Sequence, residues 1–210
     1  MKKIILKIYK KTIGKINYLR IKNKKITIIS NNCWGGIFYR NNNLEYLSPT
    51  LGMFFIGKEY IKFIYNLKHY IECELNFIKV ENSKYYDYLK KIQYNGIIGV
   101  LEDVEICFLH YENEKEALEK WNRRKKRINY NNILYKFNDQ NLCTYHDLEM
   151  FENFKAKNKI LFTAKKYDNI NSIQIKKYEN YEYVLEDIKS YKKYVNMYKF
   201  LDKNINNKKK

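Results

Sequence analysis

The sequence predicts an α/β protein: a single domain with a mostly parallel or mixed sheet covered by helices, in a Rossmann-like three-layer arrangement. Three observations carry this expectation. Short β-branched and aromatic runs alternate with segments of helical period. Between residues 104 and 163 the order reads strand, helix, strand, helix, strand, as parallel crossovers do. The chain has 210 residues with 45% hydrophobic content, enough for one core.

The elements follow in order. Strands are expected at 25–30 (KITIIS), 76–80 (NFIKV), 104–110 (VEICFLH), 133–138 (ILYKFN), 159–163 (KILFT) and 172–178 (SIQIKKY), several of them bounded by Asn, Asp or Gly. Helical periodicity marks 58–72, 114–128, 144–154 and 183–202, with Thr144 and Asp147 forming a start signal. Residues 1–20 read as a basic amphipathic segment. Ile5, Ile8, Tyr9, Ile13 and Ile16 share one helical face, which suits an anionic membrane surface or a docked helix. Residues 21–203 form the α/β domain, and the basic tail 204–210 is expected to be disordered.

Composition narrows the partners. The formal charge of +18 favours anionic ligands, whether phosphorylated small molecules, anionic lipid or nucleic acid. A chain rich in Lys, Asn, Ile and Tyr also suggests A/T-rich coding, so part of the Lys content is drift. No RNP-type, paired zinc-finger or compact helix-turn-helix motif supports sequence-specific nucleic-acid binding. The four cysteines are widely spaced without CxxC, so they read as reduced thiols of a cytoplasmic protein and no metal site is assigned. Neither a signal peptide nor a membrane span is evident, so the expected location is cytoplasmic, with peripheral contact at the inner face of the membrane.

Against this background the residues Asn31, Asn32, Cys33, Trp34, Gly35 and Gly36 stand out. They follow a strand, where ligands bind in open α/β sheets. Two adjacent glycines allow close backbone approach, and a helix beginning there would aim amides at an anion. The spacing fits neither GxGxxG nor a Walker A loop. Alternatively, the segment is a structural turn in which Trp34 plugs the core. Other strand ends add His110, Asp139 and Lys165 to the same crevice. In the helix at 114–128, Ala117, Trp121, Arg124 and Ile128 form one stripe, with Arg127 beside it. An inward Arg124 needs a carboxylate or phosphate for its planar fork. No GxSxG, HExxH or DxD motif is present.

The stretches ITIISNNCWGGIFYR, YLSPTLGMFF, EYIKFIYNL, GVLEDVEICFLHYENEKEALEKWNRRKKRIN, KFNDQNLCTYHDLEMF and KILFTAK together resemble an uncharacterised bacterial domain family. Its members are often labelled exopolysaccharide or capsular polysaccharide biosynthesis proteins. The resemblance runs from about Ile16 to Lys176 and takes in Asn31, Asn32, Trp34, Gly35, Gly36, Pro49, His110, Trp121, Arg124, Arg127, Asp139 and Lys165. It implies a single α/β domain and a role in surface-polysaccharide assembly, with no established active site to carry over.

Residues and resemblance together give the functional expectation. It is a transferase of surface-polysaccharide synthesis that uses an activated, phosphate-bearing donor such as a nucleotide sugar. Asn31, Asn32, Trp34, Gly35, Gly36, Arg124, Arg127 and Lys165 would bind the ligand. Asp139 or His110 would serve as general base. A Mg²⁺ requirement would demand carboxylates near the phosphates, and Asp139 is the one good candidate. The alternative is a non-catalytic component of the assembly complex that binds an anion or a partner.

Overall fold

A computed structural model describes residues 12–206, with side chains described to residue 203. The expected features within residues 1–11 and 207–210 lie outside the described residues. The chain runs α1 (12–20), β1 (Thr27–Ser30), α2 (Trp34–Asn41), β2 (Met53–Phe54), α3 (Gly57–Tyr65), α4 (Leu67–Glu72), β3 (Leu75–Ile78) and α5 (Tyr86–Lys91). It continues with β4 (Ile97–Leu101), β5 (Val104–Phe108), α6 (Glu114–Lys125), β6 (Ile133–Asn138), α7 (Tyr145–Asn153), β7 (Asn158–Thr163), β8 (Ile173–Gln174), α8 (Asp187–Ser190) and α9 (Met197–Asn206).

The protein is mixed α/β with two four-stranded sheets. One is parallel, in the order β1-β6-β7-β8, and the other antiparallel, in the order β2-β5-β4-β3. The α/β class is as expected, but the one sheet, mostly parallel or mixed, is instead divided into two. The strand at 104–110 does not continue the parallel series. It ends at Phe108 and pairs with β4 across five registered positions, closed by a two-residue turn at Glu102 and Asp103. A local hairpin partner costs little loop-closure entropy, so β4 claims this strand. The second sheet is therefore inserted between β1 and β6, which are neighbours in the first.

Other departures have local causes. The expected helix at 58–72 breaks at Asn66, whose φ of −123° and ψ of 40° leave the helical region. The expected helix at 183–202 becomes α8, a 3₁₀ turn and α9. The α7 start is as predicted: Thr144 and Asp147 form a reciprocal capping box.

Two cores position the site. Ile29, Phe55, Tyr60, Phe137 and Trp121 lie in the one that joins the two sheets. Trp34, Phe38, Tyr39, Phe162 and Tyr191 lie in the other, which packs α2 and the C-terminal segments on the parallel sheet. No described helix is long and apolar enough to cross a membrane.

Candidate anion site beside a buried polar network

β1 and β6 are parallel neighbours, so their carboxyl ends emerge side by side. Lys136 of β6 and Asp187 of α8 form an ion pair there, 0% and 1% exposed. The Lys136 ammonium also donates to Asn31 Oδ1 at 3.1 Å and Asn32 Oδ1 at 3.0 Å. Asn31 donates to Asn138 Oδ1 at 2.7 Å, and Asn138 donates to Asp187 at 2.8 Å. Asn32 donates to Gln140 at 3.1 Å and to Asp187 at 3.2 Å. Burial pushes the Lys136 ammonium below its ordinary range, and the Asp187 carboxylate opposes that shift. Lys136, Asp187, Asn31, Asn32 and Asn138 are buried, with half-buried Gln140 at the edge, so Asn31 and Asn32 act as structural ties.

Their product is the geometry of α2. Asn32 Oδ1 accepts the Trp34 amide at 3.1 Å, and the first backbone bond of the helix runs from Ile37 N to Cys33 O. The amides of Gly35 and Gly36 precede that bond, where helix N–H groups lack intrahelical partners. The two glycines differ in role. A Cβ on Gly35 would lie 3.1 Å from Ile28 and 3.3 Å from Ser30, so Gly35 lets the helix seat on β1. A Cβ on Gly36 would meet only Leu51, at 3.7 Å.

Gly36 instead faces a cavity of about 400 Å³, within the size range of small-molecule sites. Arg40 of α2, His110 after β5, and Lys120 and Arg124 of α6 line it. No Asp or Glu is among the lining residues. Arg124 donates to the Tyr111 hydroxyl at 2.7 Å, with its guanidinium carbon 5.9 Å from that ring's centroid. The phenol adds no counter-charge to Arg124, while Glu116 pairs with Lys120 and also interacts with Arg124. Gly52 adopts φ +73°, and its carbonyl accepts the His110 amide at 3.1 Å, which holds the imidazole at the rim. A larger cavity of about 620 Å³ between α3 and α7 has Lys58, Lys62 and His146 in its lining but also the carboxylate of Asp147, and no arginine.

Gly36, His110 and Arg124 are thus brought together, and Trp34 and Gly35 shape the helix behind them. Trp34 is 1% exposed and stacks on Phe38 with ring centroids 5.0 Å apart, so it is a core residue. Asp139 is buried away from the lining. Its carboxylate accepts the Ala164 amide at 2.6 Å and the Val184 amide at 2.8 Å. Burial pushes its carboxyl upward, and those amides partly counter the shift. Exposed Lys165 donates to the Glu179 carbonyl at 2.9 Å, and Arg127 lies 3.9 Å from Glu45. Neither Lys165 nor Arg127 lines the cavity. Sequence reasoning missed Arg40 and Lys120. Each stands four residues from a residue it did single out, Gly36 and Arg124, and that helical spacing was the available signal.

The chain matches a domain of unknown function, DUF1919, over residues 4–206. It belongs to the DUF1919 family. An uncharacterized protein of Haemophilus influenzae is 29% identical over 153 residues, which cover 73% of this chain and 68% of the relative. Both findings agree with the uncharacterised domain family expected from the motifs.

Cys33 also lines the DUF1919 cavity, and burial pushes its thiol up from 9.0 to about 11 although Lys136 pulls it down. At pH 8 an ordinary thiol of that starting value is about one-tenth ionised and Cys33 about one-thousandth. The raised value means that the proton is held more tightly in the folded state, so ionisation favours unfolding as pH rises from 9.0 to about 11. Iodoacetamide labelling of Cys33, followed by peptide mass spectrometry, should be slow at pH 8. Its rate should climb about tenfold per pH unit beyond pH 9 instead of levelling there. A plateau near pH 9 would show an ordinary thiol.

Proposed function

We propose that this protein binds the phosphate of an activated sugar or similar donor in the cavity between α2 and α6, and acts as a group transferase in surface-polysaccharide assembly. One observation carries the binding part. Arg40, Lys120, Arg124 and His110 converge on a cavity whose lining contains no carboxylate. Such a site attracts anions, and the planar Arg124 fork suits phosphate oxygens. The amides at Gly35 and Gly36 add partial positive charge at the helix start. Motif resemblance supports the polysaccharide context.

In the transfer, the bond from the sugar carbon to the donor phosphate oxygen breaks, and its electron pair leaves with the phosphate. Arg124, Arg40 and Lys120 stabilise that charge. The acceptor hydroxyl oxygen bonds to the sugar carbon, and its proton passes to His110. Asp139, buried away from the lining, takes no part in the transfer and ties the Ala164 and Val184 amides together. Charge neutralisation falls to these cations, since the lining offers no oxygen ligand set of the kind Mg²⁺ prefers. The second reading is a non-catalytic anion-binding component of the same assembly. The lack of a lining carboxylate favours it, because His110 is then the one imidazole or carboxyl group among the lining residues. Peripheral membrane contact finds support in α1, where Ile16 is 48% and Leu19 78% exposed. Cosedimentation with phosphatidylglycerol vesicles should be lost in Leu19→Asp. Equal pelleting of both proteins would refute the contact.

Titration calorimetry with pyrophosphate and a panel of nucleotide sugars tests the site. Arg124→Ala should weaken binding at least tenfold, about 1.5–3 kcal/mol for a charge-assisted contact. Gly36→Val should block it while leaving the melting temperature close to wild type, because the added carbons enter the cavity. Absence of binding by every phosphate compound, or unchanged binding in both variants, would refute the reading. Turnover of a bound sugar donor separates the transferase from the carrier.

A further inference from the structure

A second cluster, sharing no residue with that cavity, lies where α4 meets the β4–β5 turn. His69 and Cys73 are four residues apart, so their side chains leave the same face of α4. The Cys73 amide donates to the His69 carbonyl at 3.0 Å, which holds the spacing to the end of the helix. Glu102 comes from the turn, whose neighbours Leu101 and Val104 are paired. His69 Nε2 stands 2.5 Å from Glu102 Oε2. Cys73 Sγ stands 3.6 Å from His69 Nε2 and 3.8 Å from Glu102 Oε2. One atom from each residue therefore lies within 4.8 Å of the other two.

We propose that His69, Cys73 and Glu102 form a binding site for a zinc-class divalent transition-metal ion, with water as the fourth ligand. Tetrahedral zinc, with bonds of about 2.3 Å to sulfur and about 2.0–2.1 Å to nitrogen and oxygen, spaces its sulfur about 3.6 Å from each lighter donor. The two sulfur distances here match that spacing closely. The imidazole–carboxylate pair is hydrogen-bonded and must open by about 0.9 Å to admit the ion. Both side chains are more than half exposed, at 58% and 60%, so the change meets little packing resistance. Asp103 does not compete as a ligand, because it is engaged by Lys62 and by the Tyr70 hydroxyl. The mixed sulfur, nitrogen and oxygen set suits zinc or cobalt better than magnesium or calcium. On binding, the sulfur–metal bond forms as the thiol proton leaves to solvent, with no change of oxidation state, so affinity rises with pH. The ion would clamp the end of α4 to the antiparallel sheet.

Cobalt(II) added to the full chain is the test. Wild type should develop a thiolate-to-cobalt charge-transfer band and intense tetrahedral ligand-field bands that saturate at one equivalent. Cys73→Ser should abolish the charge-transfer band. His69→Gln and Glu102→Gln, which sit at exposed positions and keep the fold, should each weaken binding at least tenfold. They settle the question if Cys73→Ser misfolds. No band in wild type would overturn the site. So would a band unchanged in Cys73→Ser, which would assign the thiolate to another cysteine, or affinity unchanged in both glutamine variants.

Discussion

Replacing Lys136 with methionine is expected to lower the unfolding free energy by about 3–5 kcal/mol, the cost of breaking a buried ion pair from one side. Asp187 would be left at 1% exposure without its cation. Asn31 and Asn32 would each lose the ammonium proton that their side-chain oxygens accept. The double variant Lys136→Met/Asp187→Leu removes both charges and should be less destabilised than the sum of the single variants, by about 1–3 kcal/mol of coupling. It should not return to wild type, since the Asn138 and Asn32 amides would then lack the Asp187 acceptor. Urea denaturation of the four proteins checks this. Single-variant costs below 1 kcal/mol, or strict additivity, would show that the pair does not stabilise the sheet end.

Trp34→Ala should cost a similar amount, about 3–5 kcal/mol, through the cavity left in the second core. The indole stacks on Phe38 and meets Tyr191 edge-on with centroids 5.2 Å apart. Its N–H has no hydrogen-bond partner among the described residues. Trp34→Phe deletes that unpaired donor and keeps an aromatic face, so it should cost only about 1–2 kcal/mol. The two variants separate packing from polarity. If Phe proves as damaging as Ala, the ring contacts assigned here are not the source of stability. Loss of Trp34 should also loosen α2 and weaken phosphate binding indirectly, whereas Gly36→Val acts on binding with stability intact.

Much of the parallel sheet was legible. The apolar runs at β1, β6 and β7 stand out because strands buried on both faces need continuous hydrophobic sequence. The Thr144–Asp147 capping box is likewise a short-range signal. In the second sheet β3 and β5 overlap the strands expected at 76–80 and 104–110, whereas β2 and β4 were hidden. β2 has two residues, and Ile97–Leu101 carries a glycine at its centre, where the ring of Phe108 and the side chain of Leu75 leave no room for a Cβ. Its turn residues, Glu102 and Asp103, are not a common hairpin pair, and Glu102 takes φ +55°.

The candidate site divides in the same way. The Cys33–Gly36 stretch and the Arg124 helix could be found by composition and periodicity, because an unusual residue in a biased chain and an Arg on an apolar stripe are properties of the sequence. Their meeting, expected above only by assigning both to one ligand, has no local signal of its own, since it depends on a sheet inserted between β1 and β6 that sets α6 opposite α2. Asp187 shows the limit most clearly. It lies 49 residues beyond Asn138, in a segment whose periodicity predicts one long helix but which folds as a four-residue helix and a turn, yet it is the counter-charge of a buried lysine. The sequence by itself determined which segments are apolar enough to be strands, where one helix starts and which residue types are anomalous, because those are local properties of adjacent residues. Only the tertiary structure decided which strands pair, which cations share a cavity and which polar groups become ties, because burial and electrostatic partnership are properties of residues far apart in the chain.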